Sequence, residues 1–118
     1  MTRLRKDETY PPGMGSRIEI AGSSGRTYDF TALPEGVVPP FQGATLVFAE
    51  KRRGDWRVLD VRQTDYLPRG DWRPILEQIR AERPNARLLY RLNISHRVRE
   101  AETLDIGGLH LAARAEAA

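Results

Sequence analysis

The chain has 118 residues, no cysteine and a formal net charge of +3. A chain of this length is expected to form one domain with one modest core. The lack of cysteine excludes disulfides, thiolate metal sites and cysteine nucleophiles. The longest apolar runs are far shorter than the ~20 residues of a membrane span, and the first residues contain no apolar signal region. We therefore expect a cytoplasmic protein with no membrane partner.

The basic residues are concentrated in the middle of the chain. Residues 51–99 contain 13 basic and 6 acidic side chains, and 17 of the 19 basic residues of the whole chain are arginine. The planar guanidinium group suits phosphate oxygens, so this stretch is typical of a surface that attracts nucleic acid. Acidic residues are interleaved with the arginines, and the same pattern is also typical of an ordinary solvated surface.

The first third of the chain is predicted to form an arm, a hairpin and a proline-rich connection. Residues 1–16 hold prolines and glycines among charged residues, which predicts a flexible N-terminal arm. Residues 17–42 are predicted as a hairpin and a connection. In the hairpin, 17–20 and 27–31 alternate between apolar and polar residues on either side of a glycine–serine turn. The proline-rich stretch 34–40 can be neither helix nor central strand.

Residues 43–118 are predicted to form the main α/β core. Residues 44–49 are apolar and prone to form a strand, and residues 56–61 follow as its hairpin partner after a charged turn. The alternation of the second strand puts Trp56, Val58 and Asp60 on one face.

Two helices and one more strand complete the predicted core. Asp71 is a suitable N-cap for a helix in which apolar residues recur at helical spacing from Trp72 onwards. Residues 87–92 are predicted as a strand. Ser95 is predicted to cap a last helix, which Gly107–Gly108 ends. The order strand–strand–strand–strand–helix–strand–helix predicts an α+β domain with a small, mostly antiparallel sheet flanked by helices.

Two stretches of this core carry a motif pattern. Gly43–Phe48 lies on the first strand of the predicted hairpin, and Leu59–Leu67 follows on the second. With the helix, strand and helix that come next, they resemble the GIY-YIG endonuclease superfamily, in which two short motifs lie on adjacent strands. The resemblance covers about residues 43–106. The residues that match a common form of the second motif are Val61, Gln63, Thr64, Asp65 and Leu67.

The resemblance implies positions for the family's reactive groups. In that family two tyrosines orient the attacking water, an arginine stabilises the phosphate and a glutamate holds one divalent cation. The tyrosine positions correspond to Leu46 and Asp60, the arginine position to Gly70, and the glutamate position to Glu102. Because only the glutamate is kept, we expect no catalytic residue and no cofactor, with Mg²⁺ on Glu102 as the alternative.

Three functions follow from these observations. The first is a catalytically inactive GIY-YIG-like domain that acts as an interaction or regulatory module for an unknown protein partner. The second is nucleic-acid binding without cleavage, with Arg62, Arg69 and Arg73 as the candidate contacts near the family's phosphate site. The third is a divergent metal-dependent nuclease in which Asp60 and Glu102 share a metal ion. The resemblance requires that the motif positions line a common groove.

Overall fold

The computed structural model describes residues 17–117, and the side chains of residues 17–111. The predicted N-terminal arm lies outside the described residues. The elements are β1 (Arg17–Ala21), β2 (Thr27–Ala32), β3 (Ala44–Arg52), β4 (Asp55–Thr64), α1 (Arg73–Glu82), β5 (Arg87–Leu92) and α2 (His96–Ala117), with a short 3-10 helix, Leu67–Arg69, before α1. No helix in the described part of the chain is long and apolar enough to cross a membrane. The predicted α+β class and element order are confirmed.

The strands form one antiparallel sheet in the order β1-β2-β5-β3-β4. A flat sheet would hold its two edge strands roughly 19 Å apart, since neighbouring strands are spaced by about 4.8 Å. Ile18 of β1 and Trp56 of β4 nevertheless line one cavity. The sheet therefore curls around the buried cluster that contains Ile18 and Val58, and we call the curled side its inner face.

A separate layer packs on each face of the sheet. On the inner face, Phe30 and Val47 are fully buried together with Ile106 of α2. On the outer face, Phe48 packs with Trp72 at the start of α1. The indole N–H of Trp72 donates to the Leu67 carbonyl at 2.9 Å, so this tryptophan belongs to the core, as its helical spacing predicts.

The β3–β4 hairpin is longer than predicted. Both strands extend through the charged stretch and leave only Arg53 and Gly54 in the turn. The φ angles of these two residues are +52° and +87°, the conformation of a two-residue turn whose twist matches that of the strands. Lys51 and Arg52, which the sequence places in a loop, therefore lie on a paired strand, and only Arg53 stays in the turn.

A β-bulge changes which side chains of β4 share a face. Phe48 is opposite Asp60, but Ala49 is opposite Val58, so β4 contains one extra residue at this point. Cross-strand partners lie on the same face, which places Asp60 with Phe48 on the outer face. Trp56 packs against the inner cluster instead. The prediction is right for Trp56 and Val58, which share the inner face, and wrong for Asp60, because strict alternation does not anticipate the bulge.

The start of α1 differs from the prediction. The helix begins at Arg73 and Trp72 precedes it, with no side-chain cap. The Asp71 carboxylate instead accepts a hydrogen bond from the Thr64 hydroxyl at 3.2 Å. Asp71 therefore ties the end of β4 to the turn before α1 and does not cap the helix.

The last helix is much longer than predicted. Ser95 caps it as expected, since its hydroxyl accepts from the Val98 N–H at 3.2 Å. The helix does not stop at Gly107–Gly108 and continues to Ala117. A Cβ at the second glycine would lie 3.1 Å from the Ser23 hydroxyl oxygen. Gly108 thus allows a close approach to the β1–β2 turn, and this tertiary contact outweighs the low helix propensity of the glycine pair.

Candidate functional site

The motif positions fall on opposite faces of the sheet. Leu46 is buried in the outer cluster, and Asp60 lies on the same face. The Glu102 carboxylate reaches the sheet from α2, where its Oε1 accepts from the Thr45 hydroxyl at 2.8 Å. Adjacent residues of a strand point to opposite faces, so Thr45, which contacts Glu102, faces the side opposite to that of Leu46. Leu46, Asp60 and Glu102 therefore do not line a common groove.

The remaining predicted positions have structural surroundings of their own. Asp60 pairs with Arg62 at 2.9 Å, which neutralises both groups. Gly70 ends the short 3-10 helix with a φ of +76°. The Arg73 guanidinium lies 5.2 Å from the ring centroid of Trp72, and Arg69 is exposed nearby. Arg69, Gly70 and Arg73 therefore do not form a cleft together with Glu102.

Glu102 is engaged in a buried ion pair. Its Oε2 accepts from Nε of Arg91 at 3.0 Å, and its side chain is 7% exposed. Both carboxylate oxygens thus have partners, and a divalent cation would face the charge of Arg91. The surroundings of Glu102 do not fit the metal-binding role that the resemblance implies. Within the described residues no group of three or more His, Asp or Glu side chains could hold a metal ion.

Several residues that carry the motif resemblance surround a buried arginine of α2. The Arg99 guanidinium donates to Oε1 of Gln63 at 3.0 Å and to the Asn93 carbonyl at 2.7 Å, and it also pairs with Asp65. A Cβ at Gly43 would lie 2.6 Å from Nη1 of this arginine. The Arg99 guanidinium is therefore enclosed by Gly43, Gln63 and Asp65, and these contacts fix the position of the first turns of α2. Sequence reasoning missed Arg99, because it is one arginine among many and lacks a local signal of burial.

A second polar anchor holds α2 near its middle. The Asp105 carboxylate accepts from the Tyr28 hydroxyl at 2.6 Å, from the Ser24 hydroxyl at 2.7 Å and N–H at 2.8 Å, and from the Ser23 hydroxyl at 3.0 Å. These donors, the Tyr28 hydroxyl first, hold the pKa of Asp105 well below its ordinary value. The same hydrogen bond raises the pKa of Tyr28. A Cβ at Gly22 would lie 2.1 Å from Oδ2 of Asp105, so the turn leaves room for the carboxylate.

This anchor makes the stability of the fold sensitive to acid. A carboxylate whose pKa is lower in the folded state contributes stability above its unfolded pKa and loses it as the pH falls. We expect the free energy of unfolding to decline below about pH 4, the ordinary pKa range of aspartate. Asp105→Asn should be less stable than the wild type at pH 7 and show a smaller decline between neutral and acidic pH. Urea unfolding across pH measures this.

Asp55→Asn is the matched control, since it removes an exposed aspartate in the hairpin. It should keep the pH profile of the wild type. Identical profiles for Asp105→Asn and the wild type would contradict the role of this anchor.

Exposed cations of the β3–β4 hairpin and of the neighbouring start of β5 gather at one end of the sheet. We call this set the basic end; it consists of Lys51, Arg52, Arg53, Arg57 and Arg87. None of them forms an ion pair with a carboxylate of the described residues. By contrast, an acidic side chain pairs with each of Arg17, Arg62, Arg80, Arg83, Arg91 and Arg99.

A cavity of about 490 Å³ opens at the basic end, on the inner face. Its lining includes Arg17 and Ile18 from β1, Lys51 from β3, Trp56 from β4 and Arg87 from β5. Both edge strands contribute because the sheet curls. The sequence gives a partial signal for this site, namely a tryptophan among the basic residues of one hairpin, but β1 and β5 join it only in the folded chain.

A second cavity, of about 510 Å³, lies between the proline-rich connection and α1. Trp72 and Leu76 contribute apolar surface, and Arg80 and Glu35 pair across it at 3.1 Å. Basic and acidic side chains are balanced here, so this cavity lacks the charge excess of the basic end.

No protein-family model, curated protein or solved structure matches this chain. None of these comparisons tests the resemblance to the GIY-YIG superfamily. The common groove that it requires is not formed by Leu46, Asp60 and Glu102.

Proposed function

We propose that this protein binds nucleic acid without cutting it, through the basic end of the sheet. One observation carries the proposal: five exposed cations gather on the β3–β4 hairpin and the neighbouring start of β5. None of the five pairs with a carboxylate of the residues that the structure describes. An unpaired arginine or lysine can neutralise a phosphate and release its counterion, whereas an ion-paired arginine has already lost that capacity.

Binding without cleavage fits the surroundings of the motif positions. Leu46 has no group that can orient a water. Both carboxylate oxygens of Glu102 already accept hydrogen bonds, one from Thr45 and one from Arg91. Asp60 is held by Arg62 on the other face of the sheet. A phosphodiester bound at the basic end would meet fixed positive charge, but none of these motif positions would supply a nucleophile or a metal there.

The direct test is the affinity of the protein for fluorescently labelled single-stranded and duplex oligonucleotides, measured by anisotropy over a range of salt. We take four of the five cations to contact one phosphate each. A plot of the logarithm of the affinity against the logarithm of the salt concentration should then have a slope of about −3 for single strands and about −4 for duplex. The absence of binding at ~50 mM salt, where phosphate contacts are strongest, would overturn the proposal.

A second candidate function is an interaction module, the role expected of a catalytically inactive GIY-YIG-like domain. Exposed apolar side chains at the opposite end of the sheet favour it. Phe41 is 74% exposed and contacts the Tyr66 ring. Ile94 is 84% exposed and follows Asn93, whose N–H donates to the Gly43 carbonyl at 3.1 Å. Pull-down and native mass measurements would detect a partner, and finding neither a partner nor self-association would count against this candidate.

A further inference from the structure

The cavity at the basic end combines an indole with two cations that pair with no carboxylate of the described residues, Lys51 of β3 and Arg87 of β5. Lys51 lies directly opposite Trp56 in the sheet. Arg87 is opposite Ala49, two residues before Lys51 on the same face, so the two cations are neighbours beside the indole. Arg17 reaches the cavity from β1. Its volume of about 490 Å³ is typical of sites for small organic groups, which range over roughly 300–1,000 Å³.

Trp56 is placed to offer one surface to a ligand. It packs against the inner cluster and is only half-buried, and it also lines the cavity. Ile18 and Ala32 add apolar surface beside it, while the exposed Asn85 provides an amide at the rim. An aromatic face with apolar walls suits a planar ring, and an amide can hydrogen-bond the ring's polar edge.

These observations point to one class of ligand. A nucleobase has an aromatic face for stacking, and the adjacent phosphates of a strand suit cations at the rim of the cavity. The bases of a duplex are stacked and paired, so their faces are hidden from the indole. A single strand can place one base in the cavity and let its backbone follow the basic end.

We propose that the basic end prefers single-stranded nucleic acid, and that one unpaired base stacks on Trp56 between Lys51 and Arg87. This inference rests on the proposed function, because the phosphate contacts bring the strand to the cavity. Trp56 supplies the preference for single strands, and the surrounding cations supply the salt dependence.

The experiment compares the wild type with Trp56→Phe and Trp56→Leu. Phenylalanine keeps an aromatic face, and leucine keeps apolar packing against the inner cluster but cannot stack. Each protein is titrated with a thymidine oligonucleotide of roughly ten residues and with a duplex of the same length, within the site sizes known for single-strand binders. Phe41→Leu is the matched control, since it removes an exposed aromatic ring at the opposite end of the sheet.

We expect Trp56→Leu to bind the single strand about 10-fold or more weakly than the wild type, with little change for the duplex. Trp56→Phe should keep most of the single-strand affinity, and Phe41→Leu should match the wild type. The strand should also quench the fluorescence of the wild type, and this quenching should disappear in Trp56→Phe, because the other tryptophan, Trp72, is buried under α1.

Different failures identify different errors. If Trp56→Leu binds the single strand as the wild type does while salt-dependent binding persists, the stacking inference is wrong and the proposed function stands. A wild type that binds duplex more tightly than single strands also overturns the inference alone. If neither oligonucleotide binds at ~50 mM salt, the proposed function fails as well.

Discussion

Joint replacement of Lys51, Arg52, Arg57 and Arg87 with glutamine is expected to weaken single-strand binding at ~50 mM salt by at least about 100-fold. Each lost phosphate contact reduces the salt slope by about 0.7 for a single strand, so the slope should decrease in magnitude by about 3. Arg53 is left unchanged, because its positive φ belongs to the geometry of the turn. Anisotropy titrations at several salt concentrations give both the affinity and the slope.

The control variant removes the same charge from exposed arginines elsewhere. It replaces Arg26, Arg69, Arg73 and Arg97 with glutamine, and it therefore includes two of the contacts that the sequence predicts. We expect it to lose far less affinity than the variant of the basic end. Equal losses would mean that binding follows net charge, and a larger loss in the control would place the interface among these four arginines and not at the basic end. The thermal stability of both variants should stay near that of the wild type, since the altered side chains are exposed.

Loss of Arg91 should strongly destabilise the fold. Arg91→Leu leaves the buried Glu102 carboxylate with only the Thr45 hydroxyl as a partner. Breaking a buried ion pair by removing one partner typically costs about 3–5 kcal/mol, and because the Arg91 side chain is 35% exposed we expect the lower end, about 3 kcal/mol. Urea unfolding followed by circular dichroism measures the change in the free energy of unfolding.

Two further variants show whether the unpaired charge is the cause. Arg97→Leu removes an exposed arginine of α2 and should change stability by less than about 0.5 kcal/mol. The double variant Arg91→Leu/Glu102→Gln has no buried charge at this site and should be more stable than Arg91→Leu alone. If Arg91→Leu is as stable as Arg97→Leu, the pair with Glu102 does not hold α2 on the sheet.

The local sequence was sufficient to predict the strands and helices. The residues at which they end depended on contacts with segments that are distant along the chain. The alternation of residues 17–20 and 27–31 and the helical spacing after Trp72 are properties of short segments, and the structure confirms them. The Gly107–Gly108 pair was predicted to end α2 on propensity alone. Its contact with the β1–β2 turn, and the four hydrogen bonds to Asp105 next to it, were invisible in the sequence and keep the helix intact.

The predicted groove failed because of the face on which each position lies. Whether Leu46 and Glu102 share a face depends on strand alternation and on the side from which α2 approaches the sheet. The strand alternation can be predicted from the sequence, but the side from which α2 approaches the sheet cannot. The bulge opposite Phe48 then moved Asp60 away from the face of Trp56.

The order of strands and helices, the hairpin turn and the excess of arginine in residues 51–99 follow from the sequence, because they arise from interactions between residues close along the chain. The tertiary structure decided which arginines are neutralised and which remain available. It also brought Arg17 and Arg87 to the indole of Trp56 by inserting β5 between β2 and β3 and by curling the sheet. Pairing between distant strands sets these positions, and its register is a property of the whole fold.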